Sequence, residues 1–169
     1  MLIIKTVNIR TPNLTQVRSE IERLDRAVFT SRRAVQAPFT RNEWKDIWHS
    51  KRYTVYFARR RKSDPIGGFL VAQRTRPKNL YIYSLGVHPD LRKLGIATRL
   101  LNEVLCKLRK NMETISLHVS VNNEGAIQLY KSLSFQVLHK VKNYYARGDD
   151  AFYFQLRASS SFSAETDLI

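Results

Sequence analysis

The sequence predicts an α/β fold: a mixed, mostly antiparallel sheet of about seven strands with four helices on its two faces. Three observations carry this expectation. Segments with apolar residues at helical spacing alternate with short β-branched and aromatic runs. The length of 169 residues suffices for one core and is too short for two ordinary domains. Hydrophobic residues make up 43% and charged residues 25%, which is globular composition and excludes a disordered chain. A single domain is expected over residues 1–157, followed by a loose Ser-rich tail over 158–169.

The elements follow in order. Met1 to Ile4 opens an apolar run that reads as a strand. Thr11 as N-cap and Pro12 at the next position signal a helix start. Leu14, Val17, Ile21, Leu24 and Val28 then share one helical face. Thr40 and Glu43 have capping-box spacing, and Trp44, Ile47 and Trp48 mark a second, short helix ending near Ser50. Tyr53–Ala58 and Phe69–Ala72 form a hairpin, with Arg59–Lys62, Asp64-Pro65 and Gly67-Gly68 in its turn.

Leu80 to Val87 is a strongly apolar strand, stopped by His88-Pro89-Asp90. A long helix begins near Gly95 and buries Leu100, Leu101, Val104, Leu105 and Leu108, with Cys106 expected to be buried among those leucines. Ile115–Val121 is a strand, Ala126, Ile127, Leu129, Tyr130 and Leu133 mark the next helix, and Phe135–Val141 and Ala151–Leu156 are two closing strands. Ser134 stands where a left-handed helix cap favours Gly, so a strained turn is expected there.

Cys106 is the one cysteine, which excludes an intrachain disulfide framework and a Cys-based zinc site and suits a reducing compartment. The opening apolar run is interrupted by Lys5, too short for a signal peptide or a membrane span. The expectation is a soluble cytoplasmic chain, with the nucleus as a second location and no membrane partner. Twenty-nine basic against 14 acidic residues leave +15, which favours an anionic partner: nucleic acid, an acidic surface or a phosphorylated small molecule. The Arg59–Lys62 run reads first as a solvated turn, with RNA contact or a nuclear signal as the alternative.

The stretch from Leu85 to Thr98 carries the most chemistry. A strand enters a short loop and then a helix whose first turn holds Gly95 and Ala97, small enough for an anion to approach the backbone N–H groups. Arg92 and Lys93 add positive charge, a combination that suits a pyrophosphate. The stretch lacks the P-loop pattern and the three glycines of a dinucleotide fingerprint. Spacing alone leaves open a plain strand-to-helix turn with solvated basic side chains.

Arg92-x-x-Gly95-x-Ala97 resembles the acetyl-CoA motif of the GNAT acetyltransferases, R/Q-x-x-G-x-G/A, in its expected place between strand and helix. Asn123-Glu124-x-Ala126-x-x-x-Tyr130-x-x-x-x-Phe135 resembles the segment of that family in which an Asn and a helical Tyr lie beside the thioester and the CoA sulfur. Leu80-Tyr81-Ile82-Tyr83-Ser84-Leu85-Gly86, Leu117-His118-Val119 and Asn143-Tyr144-Tyr145 are similar to the NatE-type protein N-terminal acetyltransferases, which prefer a retained Met followed by an apolar residue. That likeness runs from about Leu80 to Leu156 and is thin before it.

The resemblance implies the GNAT fold, acetyl-CoA as acetyl donor with no metal, and protein N-terminal peptides as acceptors. It places Leu85, Val87, Arg92, Lys93, Leu94, Gly95, Ile96, Ala97, Thr98, Asn123 and Tyr130 at the cofactor. It assigns Tyr81 and His118 to holding a water that relays the amine proton. His118 is the better base by its reference pKa of about 6.5, and Tyr81, near 10, would mainly orient the water. Taken alone, a strand Tyr or His is more often scaffold than catalyst. Tyr130 would contact the CoA sulfur, whether or not it donates a proton.

An α-amine, with a reference pKa near 8, is roughly a tenth neutral at pH 7, whereas a Lys near 10.4 is neutral in under about a thousandth of molecules. Modest base catalysis therefore serves an N-terminal acceptor. The resemblance maps the peptide pocket to Phe29, Thr30 and Ser31 with Tyr144 and Tyr145; Thr30 and Ser31 stand where the family carries Pro and Val. It also implies association with the NatA complex at the ribosome, and the basic surface is compatible with rRNA. The competing readings are a GNAT enzyme acting on lysine or small amines, and a non-catalytic CoA- or RNA-binding subunit.

Overall fold

The structure is a computed structural model that describes residues 3–7, 15–30, 36–145 and 148–158. The expected helix start at Thr11-Pro12, Leu14, the pocket residue Ser31 and the tail beyond Ala158 lie outside the described residues. In chain order the elements are β1 (Ile3–Val7), α1 (Thr15–Phe29), α2 (Arg41–His49), β2 (Tyr53–Arg59), β3 (Gly68–Arg76), β4 (Asn79–Val87), α3 (Ile96–Asn111), β5 (Thr114–Ser120), α4 (Glu124–Ser132), β6 (Gln136–Val141) and β7 (Ala151–Arg157). The sheet runs β1-β2-β3-β4-β5-β7-β6. Among these strands only β4 and β5 pair in parallel.

Local chemistry sets the helix ends. Thr40 Oγ1 accepts from the Glu43 amide while the Glu43 carboxylate accepts from the Thr40 amide at 2.7 Å, the reciprocal box that starts α2. The Asn123 side chain caps α4 by accepting from the Ala126 amide. Ser134 has φ +66°, so the left-handed turn after α4 is made without glycine, as expected from its position. A short 3-10 turn, Pro89–Leu91, links β4 to α3.

Two apolar layers cover the sheet. Leu100, Leu101 and Val104 of α3 pack with Ile115, Leu117, Phe154 and Tyr130 on one face. Ile21, Leu24 and Val28 of α1 and Trp44, Ile47 and Trp48 of α2 pack on Val55, Phe57, Phe69 and Val71 on the other. Cys106 corrects an expectation, because it is exposed. It lies two residues past Val104, about 200° round the helix, and so turns away from the face that α3 buries. Among the described residues no helix is long and apolar enough to cross a membrane.

One irregularity positions the site. Ala72 of β3 faces Ile82, but its neighbour Val71 faces Ser84, so Tyr83 is an extra residue in β4. The bulge resets the side-chain alternation: Leu80 and Ile82 before it, and Leu85 and Val87 after it, all lie toward α3 and α4. β4 and β5 then pair only from Asn79–Ile82 to Thr114–Leu117. Beyond that point β4 keeps β3 and β5 keeps β7, and the sheet opens between them.

Candidate active site

Where β4 and β5 part, the face toward α1 carries Tyr81 and His118. Tyr81 stands opposite Ser116, so His118, two residues further along β5, is its diagonal neighbour on the same face. The Tyr81 hydroxyl lies 2.8 Å from His118 Nδ1 and 3.1 Å from the Tyr144 hydroxyl. A phenol has one proton; with Nδ1 as acceptor, Tyr81 donates to His118 and Tyr144 donates to Tyr81. The Tyr144 ring stacks on the imidazole at 4.2 Å and 11°.

The electrostatics favour a neutral imidazole. Burial, helped by repulsion from His139, holds His118 below the ordinary histidine value. Burial, then the bond to Tyr144, pushes the Tyr81 phenol well above its usual range, so it keeps its proton at neutral pH. Tyr130 is buried against Phe135 and Phe154, and that burial likewise holds its hydroxyl protonated.

The far end of the opening fits a diphosphate. Gly95 has φ +74°, is the N-cap of α3 and offers no side-chain cap, while the space beside its Cα is empty to 4 Å. The amides of Ile96, Ala97 and Thr98 are the donors that a helix start leaves without intrahelical acceptors. Arg92, Lys93 and Leu94 are exposed beside them, and among the described residues no acid pairs with either cation. Arg92 Nε donates to the Val87 carbonyl at 3.4 Å, and Lys93 has φ +61°. Leu85 and Val87 lie on the part of β4 that has lost β5. Asn123 stands at the start of α4, after β5, with its Oδ1 capping that helix. No group of three or more metal-ligating side chains occurs among the described residues.

The proposed acceptor residues are divided by the structure. Tyr144 is exposed at the pair, and Tyr145 packs edge-on to it with its hydroxyl accepting from the Ser120 amide and its pKa pushed up to about 12 by burial. Phe29 packs edge-on to Phe69 beneath the same face, and Thr30 is exposed. Periodicity also assigned no role to Tyr53, Gln73, Tyr83, His139 or Tyr153. Cross-strand register lines up Tyr53, Gln73 and Tyr81 on one side of the opening and His118, Tyr153 and His139 on the other, with Tyr81 and His118 diagonal to each other across it. The outward-facing, period-two positions of these strands were the available signal.

A model of the acetyltransferase (GNAT) family matches residues 18–135. The chain belongs to the GNAT acetyltransferase family. N-alpha-acetyltransferase 50 of Danio rerio is 42% identical over 76 residues, 44% of this chain and 45% of that protein. The probable N-acetyltransferase san of Drosophila melanogaster is 37% identical over 76 residues, 44% and 41% of the two chains. The GNAT chain thus spans about half the length of the curated relatives it matches. Among solved structures, the ribosomal-protein-S18-alanine N-acetyltransferase of Escherichia coli superposes with TM-score 0.78 at 21% identity, over 100% of this chain and 99% of that one. Arabidopsis thaliana NAA60 with a bisubstrate analogue gives 0.75 at 22%, over 95% and 100%. These two share the fold with the GNAT chain.

Proposed function

We propose that this GNAT chain transfers acetyl from acetyl-CoA to the α-amine of protein N-termini, by direct attack in a ternary complex. The observation that carries the reading is the Tyr81–His118 bond at the point where β4 and β5 separate, with the imidazole held neutral. Acetyl-CoA, when bound, supplies the activated acyl carbon. The amides of Ile96 to Thr98 with Arg92 and Lys93 hold its diphosphate, and the free edge of β4 at Leu85 and Val87 holds its arm. Asn123, through its Nδ2, and Tyr130 complete the donor side.

The Tyr81 hydroxyl takes the proton released by the attacking amine and passes its own to His118 Nδ1. The resemblance to NatE-type sequences implied a water held by the two side chains; their direct 2.8 Å bond supports a relay through the phenol itself. Among the described residues the side chains that contact this pair are the phenols Tyr83, Tyr144 and Tyr153, and no carboxylate hydrogen-bonds to either member, which favours a small neutral α-amine over a cationic polyamine or lysine.

The finer preference proposed is Met followed by an apolar residue, supported by the aromatic wall of Phe39, Tyr83 and Tyr144 and by the likeness to NatE-type sequences. The proposed setting is the cytoplasm, at nascent chains, with the NatA complex and the ribosome as partners. Lys51, Arg52, Arg74 and Arg76 are exposed near the turns that end β3 and begin β2, which suits an anionic surface such as rRNA. Mass spectrometry after incubation with acetyl-CoA and Met-Leu, Ala-initiated, N-blocked lysine and spermidine acceptors tests the reading. Acetyl on the Met-Leu α-amine is expected; acetyl confined to lysine or spermidine, or absent throughout, overturns it.

A further inference from the structure

Asp25 is fully buried on α1, in an otherwise apolar and aromatic layer. Removing a carboxylate from water is expensive unless donors replace the lost hydration. Among the described residues Asp25 has two such donors, both on one oxygen: Oδ2 accepts from the Phe39 amide at 2.9 Å and from the Trp44 indole Nε1 at 3.1 Å. Among the described residues its Oδ1 is buried with no partner. The carboxylate therefore ties α1 both to the segment that precedes α2 and to α2 itself.

That segment contributes to the acceptor face. Phe39 stacks on Tyr83 at 5.2 Å and 26°, and packs edge-on to Trp44 at 5.1 Å. The Tyr83 ring, on the bulge of β4, lies 6.2 Å from Tyr81. Residues Ala37 to Phe39 belong to no helix or strand, so outside the Thr40 cap their placement depends on such side-chain anchors.

We propose that Asp25 is a positioning residue of the acceptor pocket, fixing Phe39 against Tyr83 as the wall that meets the first side chain of the incoming chain. This rests on the N-terminal acceptor reading given above. Burial raises Asp25 to about 6, against the lowering effect of Arg26 on its own helix and with a raising one from Glu43 on α2. From β3 and β4, which pack on α1, the neighbours in this layer are Phe69, Val71 and Tyr83, of which only the phenol titrates. Above pH 6 both bonds are charge-assisted; below it they weaken.

Steady-state kinetics with a Met-Leu peptide test the proposal. Asp25→Ala is expected to raise the peptide KM about ten- to hundred-fold, with kcat within about threefold and acetyl-CoA affinity unchanged. Asp25→Asn, which keeps one acceptor oxygen, restores part of the loss. Phe39→Ala reproduces the KM effect and leaves Asp25 in place, so the test survives a misfolded Asp25→Ala. On acidification through pH 6 the wild-type KM rises more than that of Asp25→Asn. An unchanged KM in either alanine variant, or a fall in kcat and acetyl-CoA affinity as large as the rise in KM, overturns the proposal. Should the wild type acetylate no N-terminal peptide, the acceptor reading itself has failed. The Asp25 anchor is then read from amide exchange at Phe39: faster exchange in Asp25→Asn supports it, and unchanged exchange refutes it.

Discussion

Tyr81, in the last paired stretch of β4, and His118, one residue past the last pair on β5, are joined by a 2.8 Å hydrogen bond. The pairing holds both side chains firmly, while the opening beside them leaves room for substrate. Removing the phenol oxygen should break the proposed relay without disturbing the donor site. Tyr81→Phe and His118→Ala are each expected to lower kcat about 10²- to 10⁴-fold with acetyl-CoA affinity nearly unchanged. Their combination should cost little more than either alone, because they act as one unit. Calorimetry with CoA and steady-state kinetics check both halves; an unchanged kcat in either single variant removes that residue from the mechanism.

The acid limb of kcat reports protonation of His118. Its pKa lies below 6.5 through burial and the nearby His139, so kcat should hold its plateau down past pH 6.5 and fall only below it. His139→Ala removes a repulsion that disfavours the imidazolium. The pKa of His118 then rises and the limb moves toward 6.5, which a pH–rate profile of the variant measures.

Gly95 combines a left-handed backbone with open space beside it. A side chain there meets no atom of the protein, so its cost is conformational and falls on the anion site. Gly95→Val should weaken acetyl-CoA binding at least tenfold, by strain of about 1–2 kcal/mol together with blocked access to the helix amides. Equal affinity in calorimetry would contradict the diphosphate assignment.

Gly86 is the converse case. A Cβ at this position would stand 2.6 Å from Phe69 Cε1, and Phe69 is itself completely buried between Phe29 and Trp44. The ring has nowhere to move. Gly86→Ala should therefore destabilise the fold by about 1–3 kcal/mol, read as a lower midpoint in urea denaturation.

Much of this architecture was legible in the chain. Ile21, Leu24 and Val28 name the buried face of α1, Thr40 and Glu43 the start of α2, and Gly95 the start of α3, because capping and helical period are local properties of sequence. Cys106 was misjudged among its leucines, since composition says hydrophobic while angular position decides burial. The role of Asp25 had no local signal: its donors lie 14 and 19 residues away.

The sequence by itself determined the order of strands and helices, the chemistry available at the anion loop and the presence of Tyr81 and His118 on neighbouring strands. Only the tertiary structure decided that Tyr83 bulges, that β4 and β5 part beyond Ile82 and Leu117, and that Tyr144 returns from the β6–β7 connection to bond Tyr81 across 63 residues. Hydrophobic period and caps act over a few residues and survive in the linear pattern. A bulge, a parting of strands and a long-range hydrogen bond depend on which partners the folded sheet supplies, and one strand's sequence does not contain its partner's register.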